Sequence, residues 1–129
     1  MAEERTSEMS PVKFLCRVVA PDEKRNEVVR TFRALVGPIR GTPGCRGCTL
    51  LEDVQQPGQL QLTEEWANQH DFARHVRSNL VRRVLVAVEL AAEPPDVEIE
   101  TISGRRGMDL IFELRGASVE VVLPQEKES

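Results

Sequence analysis

The residues best suited to chemistry lie in one stretch, residues 62–76, which holds the only tryptophan, Trp66, and both histidines, His70 and His75. Asp71 precedes His75 by four residues, so on a helix their side chains share one ridge. A histidine oriented by a carboxylate can bind a polar oxygen of a substrate or accept its proton. The spacing therefore makes His75 and Asp71 candidate catalytic residues.

Apolar side chains of the same stretch are candidates for binding a substrate. Trp66 would offer a flat wall to an aromatic ring, and Phe72 and Val76, four residues apart on the predicted helix, would add further contacts. The alternative is a core tryptophan beside a histidine on the helix surface. The sequence leaves both interpretations open, because a catalytic arrangement depends on geometry as well as spacing.

The pair Cys45-Arg-Gly-Cys48 has the spacing of a zinc or redox motif. The chain has no second such pair, and the histidines lie far along the sequence. We therefore expect these thiols to be reduced and metal-free, with Cys48 in the core and Cys45 at the start of a strand. Arg17 is a candidate for binding an anionic group.

Composition narrows the function classes. At 129 residues the chain has the size of one domain, and its net charge is −4 with scattered basic residues. This argues against nucleic-acid binding, which needs clustered Lys and Arg. No apolar run approaches the roughly 20 residues of a membrane span, and the acidic N-terminal sequence lacks the features of a signal peptide. We expect a cytoplasmic protein.

Periodicity predicts an alternation of strands and helices. Strands are predicted over residues 12–19, 48–54, 59–66 and 97–102. A first helix opens near Pro21 and ends or kinks at Gly37-Pro38, and two further helical pieces, 69–77 and 79–92, are capped by Asn68 and Ser78. The order β-α-β-β-α-β is that of the ferredoxin-like α+β fold, with helices on one face of a four-stranded antiparallel sheet.

Three regions follow from this pattern: a disordered lead over residues 1–10, the domain over residues 11–102 and a C-terminal extension over residues 103–129. Within the extension, Met108, Leu110, Phe112 and Leu114 alternate with other residues, which predicts a strand. Gly116-Ala117 would turn this strand into a second one over residues 118–123, and a solvated tail would follow.

The sheet face without helices is predicted to be partly apolar, since Leu15, Val19, Leu51 and Ile102 fall on it. Such a face seldom stays wet. We expect it to pack against a second copy in a homodimer. The alternative is that the C-terminal extension covers it within one subunit, and the predicted hairpin could also lie at the subunit interface.

Several short motifs in this order resemble those of the antibiotic biosynthesis monooxygenase family, which includes quinol monooxygenases. They are Pro43-Gly-Cys45, the acidic Leu51-Glu-Asp53 before a Pro-Gly turn, Glu64-Glu-Trp66, and His75 nine residues after the tryptophan. The resemblance covers about residues 11–102. It implies a dimeric α+β barrel built from two ferredoxin-like subunits, with a pocket between sheet and helices in each.

The resemblance also implies candidate activities. Some members oxidise quinols or aromatic polyketides with dioxygen and without metal or flavin, so we expect no cofactor and a small aromatic substrate. His75 would then deprotonate a phenolic hydroxyl and Arg17 would stabilise the anion. The alternatives are a non-catalytic dimeric binding or stress-response module and a haem-binding or haem-degrading protein. Cys16-Arg17 stands where haem-degrading members carry an Asn-Arg pair, which argues against haem degradation.

Overall fold

The computed structural model describes residues 9–101 and 104–116. Its strands are Val12–Val19 (β1), Cys45–Glu52 (β2), Gln59–Trp66 (β3), Asp96–Thr101 (β4) and Gly104–Arg106 (β5). They form one antiparallel sheet in the order β2-β3-β1-β4-β5. The helices are Arg25–Arg40 (α1), Gln69–Val76 (α2), Asn79–Val88 (α3) and Met108–Arg115 (α4), and a 3-10 turn, Asp22–Lys24, precedes α1. This architecture confirms the predicted ferredoxin-like α+β fold.

The central strands β1 and β3 have the predicted bounds. They pair along their whole length, from Val12 opposite Trp66 to Val19 opposite Gln59. Alternate residues of β1, beginning with Val12, are buried under the helices, because a strand presents every second side chain to one face. Strand β2 begins at Cys45, earlier than predicted, and contains an irregularity between Cys45 and Gly47.

Capping side chains fix where the middle helices begin. The Asn68 side chain accepts a hydrogen bond from Asp71 N at 2.8 Å, and the Ser78 side chain caps α3 through Val81 N. Both predicted caps are confirmed. Helix α1 continues through Gly37-Pro38 to Arg40 instead of ending there, since a proline so close to the end interrupts few of its hydrogen bonds.

The predicted strand at Met108 is wrong, because residues 108–115 form the helix α4. Their alternating apolar pattern also suits a helix, which brings Met108, Ile111 and Arg115 onto one face. Asp109 in the first turn and Arg115 in the last turn suit the helix dipole. The predicted second strand over residues 118–123 and Ile102 lie outside the described residues, as do residues 1–8, although Ser10 of the predicted disordered lead is buried.

The core lies between the sheet and helices α1 to α4. Its largest fully buried side chains include Trp66, Phe32, Leu35, Ile39 and Leu62. Among residues 9–101 and 104–116, no helix covers the opposite face of the sheet, which we call the open face. Across the described residues, no helix is both long and apolar enough to cross a membrane.

Replacing Asn68 by alanine should lower the free energy of unfolding by about 1 kcal/mol, because the first turn of α2 loses its cap. Asn68→Ser should keep most of the stability, since serine also caps well. Urea denaturation of the two variants beside wild type measures both effects. Equal stability of wild type and Asn68→Ala would show that the cap does not hold α2.

Candidate active site

A buried carboxylate, Glu64, lies at the centre of the candidate site. It follows Leu62 on β3 and points to the helix-covered side of the sheet, where only 3% of it is exposed. Trp66 lies two residues further along the same face, and its Nε1 donates a hydrogen bond to Glu64 Oε1 at 2.8 Å. Such a bond to a charged acceptor contributes about 1.5–3 kcal/mol.

His75 reaches the same carboxylate from α2. Its ring stacks on Trp66 with the ring centroids 4.4 Å apart, and its Nε2 lies 3.4 Å from Glu64 Oε1. That distance is within ion-pair range, but the relative orientation of the ring nitrogen and the carboxylate does not meet the geometry of a hydrogen bond. His75 is 1% exposed, and neither ring nitrogen has a hydrogen-bond partner among the described residues. Unpaired polar atoms at this depth cost about 1–3 kcal/mol each, which marks His75 as a candidate functional residue.

A small apolar cavity lies beside His75 and Glu64, and we call it the chamber. Its volume is about 20 Å³, enough for about one water molecule. Apart from His75, Glu64 and the thiol of Cys16, its walls are hydrophobic and come from strands β1 and β4 and helices α2, α3 and α4. They include Phe14, Phe72, Val76, Val84, Leu85, Met108 and Ile111.

The predicted substrate-binding residues divide between two positions. Phe72 and Val76 line the chamber. Trp66 is fully buried behind His75 and is not one of the chamber-lining residues. The tryptophan therefore positions the histidine ring and the carboxylate, and it would not stack on a substrate in this conformation.

The structure does not bring Asp71 to His75. The Asp71 carboxylate accepts hydrogen bonds from Arg74 Nη2 at 2.7 Å and Asn68 Nδ2 at 3.2 Å. It also packs against the turn before β2, where Gly44 has a φ of +91° and no room for a Cβ atom. Asp71 therefore binds the capping residue Asn68 and packs against this turn, and the carboxylate that faces His75 is Glu64.

Arg17 lies on the open face of the sheet, on the other side from His75. Its guanidinium donates to Asp96 Oδ2 at 3.0 Å and to Gln61 Oε1 at 3.2 Å. Because side chains alternate along a strand, Cys16 faces the chamber and Arg17 faces away from it. Arg17 is therefore not positioned to bind an anion in the chamber, contrary to the expectation from the sequence.

The three thiols are free, and burial raises their pKa values. Burial and the nearby charge of Glu64 raise the pKa of Cys16 to about 12. The same two causes raise the pKa of Cys48 to about 12, although the nearby Arg40 acts to lower it. The irregularity in β2 places Cys45 opposite Trp66 and Cys48 opposite Glu64, so both face the helices. Among the described residues, no group of three or more His, Cys, Asp or Glu side chains could hold a metal ion.

Sequence reasoning missed Glu64 as the partner of His75, although a signal for it was present. The period of two in β3 puts Glu64 on the apolar face between Leu62 and Trp66, where an unpaired charge is costly. It also missed the contribution of α4, whose Met108 and Ile111 close one side of the chamber.

A family model for antibiotic biosynthesis monooxygenases matches residues 12–86, more than half of the chain. The chain belongs to the antibiotic biosynthesis monooxygenase family. Glu64, Trp66 and His75 all lie within the matched segment, whereas α4 lies outside it. No curated protein matches the sequence.

Solved structures share this fold. The Rv0793 protein of Mycobacterium tuberculosis is 25% identical, covers 70% of this chain and 92% of its own, and has a TM-score of 0.64. A structure named as an antibiotic biosynthesis monooxygenase is 21% identical, covers 68% of this chain and 94% of its own, and has a TM-score of 0.62. Protein PA3566 of Pseudomonas aeruginosa is 21% identical with a TM-score of 0.64, and the match covers 71% of this chain and 93% of that one.

The environments of the thiols predict their reactivity. At pH 8 a thiol with a pKa near 12 is ionised in only about one molecule in 10⁴, and the thiolate is the reactive form. Native protein should therefore expose only Cys45 to a disulfide reagent such as DTNB, and this reaction should vanish in Cys45→Ala. All three cysteines should react in urea. Rapid modification of Cys16 in the native protein would contradict this description of the chamber.

Proposed function

We propose that this protein is a cofactor-independent monooxygenase that oxidises a quinol or polycyclic aromatic substrate with dioxygen. The observation that supports this best is the environment of His75. This residue is buried against a carboxylate, borders an apolar chamber, and has ring nitrogens without partners among the described residues. A histidine in this setting suits the task of taking a proton from a phenolic hydroxyl.

In the proposed mechanism, each residue has a role that its position supports. His75 accepts the phenolic proton, and Glu64 stabilises the imidazolium that forms. Trp66 holds both groups in place by stacking on His75 and donating to Glu64. Phe72 and Val76 contribute to the apolar walls that exclude water.

The substrate itself supplies the electrons in this reaction. Its deprotonated form passes electrons to dioxygen, and in an anthrone the ring CH₂ becomes a carbonyl. Two C–H bonds break, one oxygen atom stays on the carbon and the other leaves as water. When a quinol becomes a hydroxyquinone, one C–H and two O–H bonds break, one oxygen atom is added as a hydroxyl group and the other leaves as water, so neither reaction needs an external reductant.

The size of the chamber favours a second candidate, a non-catalytic binding or stress-response module on the same fold, which does not need a substrate in the chamber. At about 20 Å³ the chamber in this conformation cannot hold an aromatic ring, whereas ligand pockets usually measure about 300–1,000 Å³. The monooxygenase proposal therefore requires the chamber to open when substrate binds.

Oxygen uptake by metal-free, flavin-free protein with a panel of quinols and anthrones tests the proposal. His75→Ala should lower the rate by about 10²–10⁴-fold because the general base is lost. Glu64→Gln should also lower it, since the amide keeps an acceptor for Trp66 but removes the charge that stabilises the imidazolium. Asp71→Asn is the matched control and should leave the rate unchanged, because Asp71 contacts Asn68 and Arg74 instead.

Two outcomes would decide against the mechanism. Equal rates for wild type and His75→Ala would make the histidine structural. Binding of panel compounds to the wild type without any oxygen uptake would favour the binding module.

We also propose that the protein is a homodimer that packs through the open face of its sheet. Leu15 and Val19 are half-buried there and Leu51 is 53% exposed. Charges of both signs surround them, including Lys13 and Glu98, which allows complementary pairing between two copies.

Leu51→Lys should dissociate the dimer, because burying an unpaired charge costs several kcal/mol. Val86→Lys is the control, since Val86 is 54% exposed on α3, which lies on the helix-covered side of the sheet. Analytical ultracentrifugation at micromolar concentration distinguishes the two forms. A wild-type protein that sediments as a monomer would refute the dimer.

A further inference from the structure

A surface groove runs between helices α2 and α4, next to the chamber. Its volume is about 280 Å³, close to the lower end of the range for small-molecule sites. Its apolar lining comes from Val12, Ala73, Leu110 and Leu114, and the exposed imidazole of His70 also borders it.

Phe72 lines both the groove and the chamber. Its side chain is 3% exposed, and its ring centroid lies 6.3 Å from that of Phe14 and 6.5 Å from that of Trp66. The Phe72 ring therefore stands between a groove open to solvent and the cavity that holds His75. A rotation of this one side chain would join the two spaces.

Helix α4 forms a wall of both spaces, with Met108 and Ile111 on the chamber and Leu110 and Leu114 on the groove. It is anchored to the end of α2, where Arg115 Nη1 donates to Val76 O at 2.6 Å. Displacing the helix would break this hydrogen bond and the core packing of Ile111, whereas movement of the Phe72 side chain leaves both in place.

We propose that the groove between α2 and α4 is the entrance and outer subsite of the active site, and that Phe72 is the gate between groove and chamber. This inference rests on the proposed function and specifies its substrate class. The substrate is an elongated, mostly apolar phenol. Its hydroxyl-bearing ring reaches His75, its body passes Phe72, and its far end lies in the groove near His70. A small single-ring phenol would leave the groove empty.

Quenching of tryptophan fluorescence by acrylamide tests the gate without any turnover. Trp66 is the only tryptophan and is fully buried beside His75, so its quenching reports how readily a small neutral molecule reaches this region. Phe72→Ala should raise the quenching constant several-fold over wild type. Phe72→Leu keeps more of the packing and should raise the quenching constant by a smaller factor. It replaces Phe72→Ala in the test if the alanine variant does not fold.

Two matched pairs of variants locate the opening. Leu85→Ala truncates a chamber wall on α3, away from the groove, and should raise quenching less than Phe72→Ala. Ala73→Phe fills the groove from the surface of α2 and should lower quenching, whereas Val86→Phe, at a 54% exposed position on α3, should leave it at the wild-type value. Equal rises in Phe72→Ala and Leu85→Ala, or no effect of Ala73→Phe, would overturn the gate.

Kinetics on the intact enzyme separate this inference from the proposed function. With long-tailed phenols, Ala73→Phe should raise KM several-fold over wild type, whereas Val86→Phe, which lies outside the groove, should leave KM at the wild-type value. Equal KM values for long substrates in Ala73→Phe and wild type would overturn the outer subsite even if the protein is a monooxygenase. Absence of turnover, together with the predicted quenching pattern, would reject the monooxygenase and keep the gate.

Discussion

The buried carboxylate of Glu64 is the constraint on which the candidate site depends. A carboxylate at 3% exposure is costly unless it is hydrogen-bonded, and here the Trp66 indole donates to it while His75 Nε2 lies 3.4 Å away. Trp66 is the last residue of β3, and Asn68 caps α2 two residues later. This short connection leaves α2 little freedom, so the carboxylate, the indole and the imidazole are held in one arrangement.

The same arrangement explains why His75 lacks hydrogen-bond partners among the described residues. The indole of Trp66 covers one face of the ring, and Glu64 lies within ion-pair range of Nε2 without the direction of a hydrogen bond. The rest of the surroundings are hydrophobic walls. A phenolic hydroxyl in the chamber would supply the missing partner, which links the unpaired nitrogens to the proposed proton transfer.

The family match and the C-terminal helix contribute different parts of the site. The matched segment, residues 12–86, contains Glu64, Trp66 and His75, and it therefore holds the proposed proton-transfer groups. Helix α4 lies beyond it and closes the chamber through Met108 and Ile111. In our proposals the shared fold provides the chemistry, while this additional helix helps to determine which substrates reach it.

The sequence by itself determined the features that depend on local pattern: the bounds of β1 and β3, the caps Asn68 and Ser78, and the ferredoxin-like order of elements. Tertiary structure decided which side chains contact one another. The i,i+4 spacing suggested Asp71 for His75, but packing brings Glu64 there, since spacing along a helix says nothing about the strand beneath it. The alternation from Met108 to Leu114 predicts a strand, but Ile111, three residues after Met108, also allows an apolar helix face. The segment became the helix α4 because that form places Met108 and Ile111 against the core and lets Arg115 bind Val76 O, contacts that a local pattern cannot reveal.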